Sequence, residues 1–501
     1  MKEIIDLAAE KFGDRDAFRW KNKKEICSKT YRELKADSEN FANVLHELGL
    51  TEKTVAVIGL TSYEWIISFF GIVNSASIAV PLDVQLPAAE ACDLLNRAHV
   101  SCLVYDSIRA DIPEAAKKLC PDVKYYICMQ KEKSDEQAQS WQELMKTYKG
   151  SYSCEIDNEK LCLVMFTSGT TGKSKGVMLT HLNFTDNSCC FASDIENGVA
   201  LSVLPIHHAY CLTMDILKTL YEGATICIND SLMHIGKNLQ TFQPTHMLLV
   251  PMILEGLYKK MRALEGKMPK EEIAKAVFGP NLKIIYSGGA YLSQEYIDNM
   301  KEYGISVLQG YGMTECSPVI SSNSLGACKA NSVGKLIPNC EGKVVDEEIW
   351  VKGSSVMMGY LDMPEETRET LTEDGWLRTG DLGYIDEDGF VFITGRKKNL
   401  IIMANGENIS PEEIENVLGL EDLVKEIIVS GIDNGLAAEI FPDYEYAEAK
   451  GVEDIVGELQ KLIDNYNKDM PQFRKLTKLV VRKEEFEKTP SKKIKRKPIQ
   501  M

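Results

Sequence analysis

Short apolar runs alternate with polar, helix-periodic stretches through the first part of the chain. Thr54-Val-Ala-Val-Ile-Gly59 reads as a strand, the segment after Ser62 as a helix, and Ser77-Ile-Ala-Val-Pro81 as the next strand. Asn96-Arg-Ala-His-Val-Ser-Cys-Leu-Val-Tyr105 and Val123-Lys-Tyr-Tyr-Ile-Cys128 continue the alternation. A second block of the same texture runs through Val203-Leu204, Thr225-Ile-Cys-Ile228, His246-Met-Leu-Leu-Val250 and Lys283-Ile-Ile-Tyr286. Strand–helix repetition of this kind predicts parallel sheets with helices on both faces. Between Ser332 and Gly395 the helical stretches shorten. Glu348-Ile-Trp-Val-Lys352, Gly383-Tyr-Ile385 and Phe390-Val-Phe-Ile393 read as strands joined by the turns Asp374-Gly375 and Asp388-Gly389. This predicts a small antiparallel, β-barrel-like subdomain. After Gly395 comes a charged, mixed helix/strand tail of about a hundred residues, enough for a small α+β domain. The predicted fold is therefore α/β: a large domain of two layered sheets plus the subdomain (1–395), then a small domain (396–501).

Length and composition narrow the class. A chain of 501 residues exceeds one ordinary core, and 44% apolar residues suffice for more than one. The net charge of −17 argues against grip on nucleic acid or anionic lipid. One exception is the basic tail Lys492-Lys-Ile-Lys-Arg-Lys497. Fourteen cysteines without a Cys-x-x-Cys pair, and no signal-peptide pattern, point to reduced thiols in the cytoplasm. Cys189-Cys190 reads as packing. The most apolar segment, Trp65 to Leu82, is interrupted by Asn74 and three serines, which fits a buried helix and strand better than stable membrane insertion. No solenoid repeat is present.

The chemistry concentrates in Phe166-Thr-Ser-Gly-Thr-Thr-Gly-Lys-Ser-Lys-Gly-Val177. Glycines let backbone approach an anion, hydroxyls donate to it, and lysines supply charge for phosphate oxygens. The spacing is not that of a Walker A loop. The run resembles the phosphate-binding signature of the adenylate-forming superfamily: acyl-CoA synthetases, luciferases and adenylation domains of peptide synthetases. Their pattern is Thr-Ser-Gly-Thr-Thr-Gly-x-Pro-Lys-Gly-Val, with Ser174 here in place of the proline. The resemblance gives nucleotide contacts to Thr167, Ser168, Gly169, Thr170, Thr171, Gly172 and Lys175.

Further motifs of that family follow in order. The turn in Lys283-Ile-Ile-Tyr-Ser-Gly-Gly-Ala290 matches the segment walling the adenine pocket, implicating Gly288, Gly289 and Ala290; a plain tight turn is the alternative. Gln309-Gly-Tyr-Gly-Met-Thr-Glu315 is more specific. An aromatic between glycines can stack on a base, a threonine can donate to phosphate, and a glutamate can hold Mg²⁺. The resemblance assigns Gln309, Gly310, Tyr311 and Gly312 to the nucleotide, Thr314 to the α-phosphate and Glu315 to the metal. Trp376-Leu-Arg-Thr-Gly-Asp-Leu-Gly383 resembles the ribose motif. Asp381 would accept from both ribose hydroxyls, with a turn residue as the alternative, and Arg396 would reach the ribose or phosphate.

Pro205-Ile-His-His-Ala-Tyr210 invites a metal reading. Adjacent histidines on a strand would point to opposite faces, however, and no further ligands sit at metal spacing. By resemblance His208 lines the site beside the carboxylate being activated, with His207 structural. Gly395-Arg-Lys-Lys-Asn-Leu-Ile-Ile-Met-Ala-Asn-Gly-Glu-Asn-Ile-Ser-Pro-Glu-Glu-Ile414 matches the hinge-and-thioester segment. Lys398 sits at the hinge and Gly406 on the CoA side. Ser410-Pro-Glu-Glu413 is a good helix start, Ser as N-cap and Pro at N1, and needs no chemistry. Glu487-Lys-Thr-Pro-Ser-Lys-Lys-Ile-Lys-Arg496 resembles the final motif, Thr-Pro-Ser-Gly-Lys-Ile-x-Arg. Lys493 takes the place of the catalytic lysine and Lys492 that of the glycine; a solvated basic terminus is the alternative.

The resemblance implies activation of a carboxylic acid by ATP with Mg²⁺, then transfer to CoA. The family's amino-acid-activating members carry an Asp soon after the segment equivalent to Pro205–Tyr210; here Asp215 comes later, in a helix-like run, so the resemblance implies an uncharged pocket for a fatty or aryl acid, with a medium- or long-chain fatty acid preferred. Loading of an acyl or peptidyl carrier protein is the alternative acceptor. A luciferase-like oxidation shares these motifs. A non-catalytic nucleotide-binding protein would need no Lys493, Glu315 and Asp381 together.

Overall fold

The protein's structure, a computed structural model, describes residues 1–167, 174–191, 194–195, 197–403, 407–432, 435–488 and 494–496. The chain divides into two compact units, Met1–Glu341 with Val351–Leu377, and Gly342–Trp350 with Arg378–Met501.

Two large sheets build the first unit. Among the described residues one has eight strands, in spatial order Gly359–Tyr360, Lys175–Thr180, Leu161–Thr167, Ile78–Leu82, Thr54–Ile58, Cys102–Tyr105, Tyr125–Cys128 and Gln139–Ser140. From Leu161–Thr167 to Gln139–Ser140 neighbouring strands pair in parallel. Parallel strands are covered on both faces, which is why Val55, Ala56, Val57 and Ile58 run apolar without alternation and are all fully buried. Each Val or Ile among them contributes about 1.5–3 kcal/mol of burial. The Tyr63–Asn74 helix is buried on every side and starts at Ser62, whose hydroxyl accepts from the Trp65 N–H. Gly71 allows its closest packing, because a Cβ there would lie 2.7 Å from the Phe41 ring.

Among the described residues the second sheet has nine strands: Lys335–Leu336, Val319–Ser322, Ser306–Gly312, Ile284–Ser287, His246–Leu249, Val199–Ser202, Thr225–Ile228, Asp16–Asn22 and Glu25–Thr30. From Ser306–Gly312 to Asp16–Asn22 the pairing is parallel. Leaving Val199–Ser202, the chain first adds Thr225–Ile228 on one side and then His246–Leu249 on the other. This reversal is a topological switch point, where open α/β sheets bind ligands beyond their strand C-termini. Strand and helix alternate as the apolar pattern predicts, with one shift: the strand expected at Val203-Leu204 ends at Ser202.

The second unit carries most of a four-stranded sheet, Cys340–Val345, Glu348–Gly353, Leu377–Ile385 and Val391–Arg396. The Asp388-Gly389 turn joins Leu377–Ile385 to Val391–Arg396 as expected, with the Gly389 N–H donating to Asp386 O, whereas Asp374-Gly375 follows the Pro364–Thr370 helix in the first unit, where the Gly375 N–H donates to Thr372 O. A three-stranded sheet, Val424–Ile432, Gly435–Pro442 and Leu476–Val481, packs with the Pro411–Leu418 and Ile455–Lys468 helices around Ile414, Val429, Ala438, Leu459 and Ile463. Ser410 does precede the Pro411 helix, yet its hydroxyl makes no cap. It lies 2.9 Å from Thr394 O and from Glu412 Oε2 instead.

Candidate functional site

The hairpin that holds the phosphate-type loop is well defined at its base. Leu161–Thr167 and Lys175–Thr180 pair antiparallel, closing on Thr167 opposite Lys175. Ser168, Gly169, Thr170, Thr171 and Gly172 lie outside the described residues. The Arg97 guanidinium fastens the returning side: Nη2 donates to Ser174 O at 2.8 Å and its carbon sits 5.2 Å from the Phe166 ring centroid. Arg97 carries no local motif and was invisible in the sequence.

On the far side of the Lys175 strand lies Gly359–Tyr360, paired so that Tyr360 opposes Val177. Lys175 Nζ stands 4.6 Å over the Tyr360 ring centroid, and the Tyr360 hydroxyl donates to Glu315 Oε1 at 2.8 Å. Burial, then the Glu315 charge, holds the Tyr360 phenol well above its usual pKa, so it remains a donor. Glu315 sits in a single 3₁₀ turn, Thr314–Cys316, with Thr314 half-buried beside it. Its carbonyl accepts from the Met357 N–H at 2.9 Å and its side chain is almost fully buried. The structure thus brings Lys175 and Glu315 together through a tyrosine.

Mg²⁺ takes one or two carboxylates plus substrate phosphates and waters rather than an all-protein cage. Among the described residues no group of three or more His, Cys, Asp or Glu is placed to hold a metal. A lone, fixed Glu315 carboxylate near Lys175 fits a magnesium ion carried on a polyphosphate.

At the C-terminal edge of the nine-stranded sheet, Gly288-Gly289-Ala290 follows the Ile284–Ser287 strand, and Gln309–Gly312 ends the neighbouring strand, with Ser287 opposite Gln309. Gln309 is buried, while Gly310 and Tyr311 are half-buried. Gly312 has a steric reason: a Cβ would meet the Pro318 carbonyl oxygen at 1.9 Å, and the Met313 N–H donates to that same oxygen. His208 lies beyond the Val199–Ser202 strand, at the switch point, and is exposed.

One expectation about the histidines fails. His207 and His208 are not on a strand with opposite faces. They occupy a turn closed by the His208 N–H on Pro205 O, and their ring centroids are 4.2 Å apart. Polar turn residues after an apolar run had read as strand continuation. Burial, then the neighbouring His208, pushes the His207 pKa well below its usual value. Its 3.7 Å approach to Asp83 is therefore not an ion pair at neutral pH. Tyr210, also unflagged by sequence, donates its hydroxyl to Tyr286 O at 3.3 Å, and its ring fills the space a Cβ on Gly288 would need.

Within the second unit, Asp381 lies on a strand rather than in a turn, opposite Arg396. The Asp381 carboxylate is almost fully buried, with Oδ1 2.5 Å from Arg396 Nε. Beside it the Lys397 ammonium donates to Glu348 Oε2 at 2.9 Å, and the Gly380 N–H to Glu348 Oε1. Burial opposes the Glu348 charge, but these donors win and hold its pKa below the usual range. Lys398 is exposed in the 3₁₀ turn Lys397–Asn399, and Asn399 Nδ2 donates to Glu412. Gly406 and Lys493 lie outside the described residues. The Lys493 segment is flanked by an antiparallel bridge between Lys488 and Ile494, and Arg496 pairs with Glu415.

Residues 5–361 match the AMP-binding enzyme family, and residues 398–501 match its C-terminal domain. The long-chain-fatty-acid–CoA ligase of Bacillus subtilis (strain 168) is 30% identical over 88% of this chain and 84% of its own length. The 4-coumarate–CoA ligase-like 6 protein of Arabidopsis thaliana is 35% identical over 57% of this chain, which spans about half (53%) of that relative's length. Among solved structures, an anthranilate CoA ligase in complex with anthranoyl-AMP superposes with a TM-score of 0.86 at 20% identity, covering 99% of this chain and 95% of its own, which establishes a shared fold. On the strength of these matches, which take in both the loop-bearing unit and the tail, the chain belongs to the AMP-binding enzyme family.

Proposed function

We propose that this protein is an AMP-forming acid–thiol ligase that converts a carboxylic acid, ATP and CoA to acyl-CoA, AMP and pyrophosphate. The observation that carries the reading is the junction of Lys175, Tyr360 and Glu315, which sets a cation and a magnesium-type carboxylate beside the phosphate-loop hairpin. A carboxylate cannot acylate a thiol at neutral pH because oxide is a very poor leaving group. A carboxylate oxygen therefore attacks the α-phosphorus of ATP, forming the acyl-adenylate and expelling pyrophosphate. The thiolate of CoA then attacks the acyl carbon and AMP leaves.

Positioning and electrostatics carry such a step. Thr167 through Gly172 and Lys175 cradle the phosphates. Thr314 donates to the α-phosphate, and Glu315 holds the magnesium ion, which offsets phosphate charge. Gly288, Gly289, Ala290 and Gln309 through Gly312 frame the adenine, with Tyr311 stacked on it. Asp381 binds the ribose with Arg396 nearby, and His208 sits by the acid. Lys493 bridges the two anions that otherwise repel. For the second step the domain from Arg396 onward turns at Lys398 and offers its Gly406 side to the thiol. Fourteen unpaired cysteines support a cytoplasmic setting, and no helix among the described residues is long and apolar enough to cross a membrane.

For the acid we propose a medium- or long-chain fatty acid. The Bacillus subtilis relative, matched over most of both chains, supports this. So do the buried Leu212, Ile216 and Leu217 on the helical run after Tyr210. An aryl acid is the second reading, favoured by the 35% identity to the 4-coumarate relative. The test is ATP-dependent pyrophosphate release over fatty, aryl and amino acids, with and without CoA, and products identified by mass. A fatty acyl-CoA is expected. An adenylate with no CoA product would point to a carrier protein as acceptor, and no pyrophosphate release with any acid would overturn the ligase reading.

A further inference from the structure

Tyr360 bears no chemistry in the motifs, yet several interactions from distant parts of the chain converge on it. Its backbone joins the strand leaving the phosphate loop, and its N–H donates to Thr367 Oγ1 at 3.0 Å. Its hydroxyl donates to Glu315 Oε1 at 2.8 Å, and Lys175 Nζ lies 4.6 Å over its ring centroid. The side chain is only 5% exposed, so neither contact is a solvent-averaged surface encounter. A cation over a desolvated phenol ring is attracted by the ring's quadrupole. A carboxylate that accepts from a fixed buried donor keeps its orientation, as ligands of metals do when an outer partner holds them.

We propose that Tyr360 is a positioning residue that sets Glu315 for magnesium and Lys175 for the ATP phosphates at once. The inference rests on the ligase reading given above. The two links are chemically separable: the hydroxyl serves Glu315 and the ring serves Lys175. Tyr360→Phe removes the first and keeps the second. Tyr360→Leu keeps an apolar, though smaller, side chain and removes both.

The experiment is calorimetric titration of ATP into each full-length protein across a magnesium series, with thermal midpoints alongside. Wild type binding MgATP is the first result expected. Tyr360→Phe should need about 10-fold more magnesium for half-maximal ATP binding, the size typical of losing an outer partner of a metal ligand. At saturating magnesium its ATP affinity should stay within about twofold, since Lys175 keeps its ring. Tyr360→Leu should weaken ATP binding even at saturating magnesium. Glu315→Gln, still an acceptor for the Tyr360 hydroxyl, should fold normally and lose most of the magnesium dependence. An unchanged magnesium requirement in Tyr360→Phe would overturn the inference while leaving the ligase reading intact, as would a lowered thermal midpoint with both binding parameters unchanged. Failure of wild type to bind MgATP would overturn the ligase reading and the inference with it.

Discussion

Asp215 shows how one side chain can couple to pH without taking part in the chemistry. It is fully buried on the helical run Cys211–Lys218, and its Oδ1 has no hydrogen-bond partner among the described residues. Burial pushes its pKa up to about 6, with bonds to Ser202 and Cys211 pulling partly back. Its folded pKa thus lies above the unfolded value, so the fold favours the protonated carboxyl. That contribution is complete below about pH 4 and is lost as pH rises through 6; above it, holding the charge costs on the order of 3 kcal/mol. Asp215→Asn should therefore raise the unfolding midpoint clearly at pH 8 and much less at pH 4.5, read by denaturant titration. An equal offset at both would sink the assignment. Removing one preorganised electrostatic contact typically costs about 10²–10³ in rate. Lys493→Ala should lose that much in adenylation yet still pass a supplied acyl-adenylate to CoA; equal loss in both half-reactions would contradict its role.

Elements were legible where their signal is local. The alternating apolar runs became parallel strands, and Gly310–Gly312 close the Ser306–Gly312 strand. What the sequence hid depends on which strands meet. Tyr360 and Arg97 reach the loop hairpin only because the sheet places Gly359–Tyr360 beside Lys175–Thr180 and because the Arg97 side chain crosses to Ser174. The histidine pair misled for a related reason: a turn closed by one backbone bond looks extended in one dimension. A Cβ on Gly312 would lie 1.9 Å from the Pro318 carbonyl oxygen. A methyl there collides with the Pro318 carbonyl, so Gly312→Ala should lower stability by about 1–3 kcal/mol, as overpacking does. It should also weaken ATP binding by displacing Tyr311. Unchanged unfolding and unchanged calorimetric affinity would show the strand can yield.

For the whole molecule, motif order is the basis on which we propose a division of labour between a nucleotide-binding body and a tail that serves two reactions. Lys398 stands in a short exposed turn that a fixed φ would stiffen. Lys398→Pro should spare pyrophosphate release and abolish thioester formation; loss of both would argue that the turn serves folding, not alternation. The proposed attack of an acid on the α-phosphorus would leave a mark no other route leaves. The acid, labelled with heavy oxygen in its carboxylate, would be turned over with ATP and CoA, and the products weighed by mass spectrometry. One heavy oxygen is expected in AMP and none in pyrophosphate. Label retained wholly in the acyl product, or delivered to inorganic phosphate, would contradict the proposed attack.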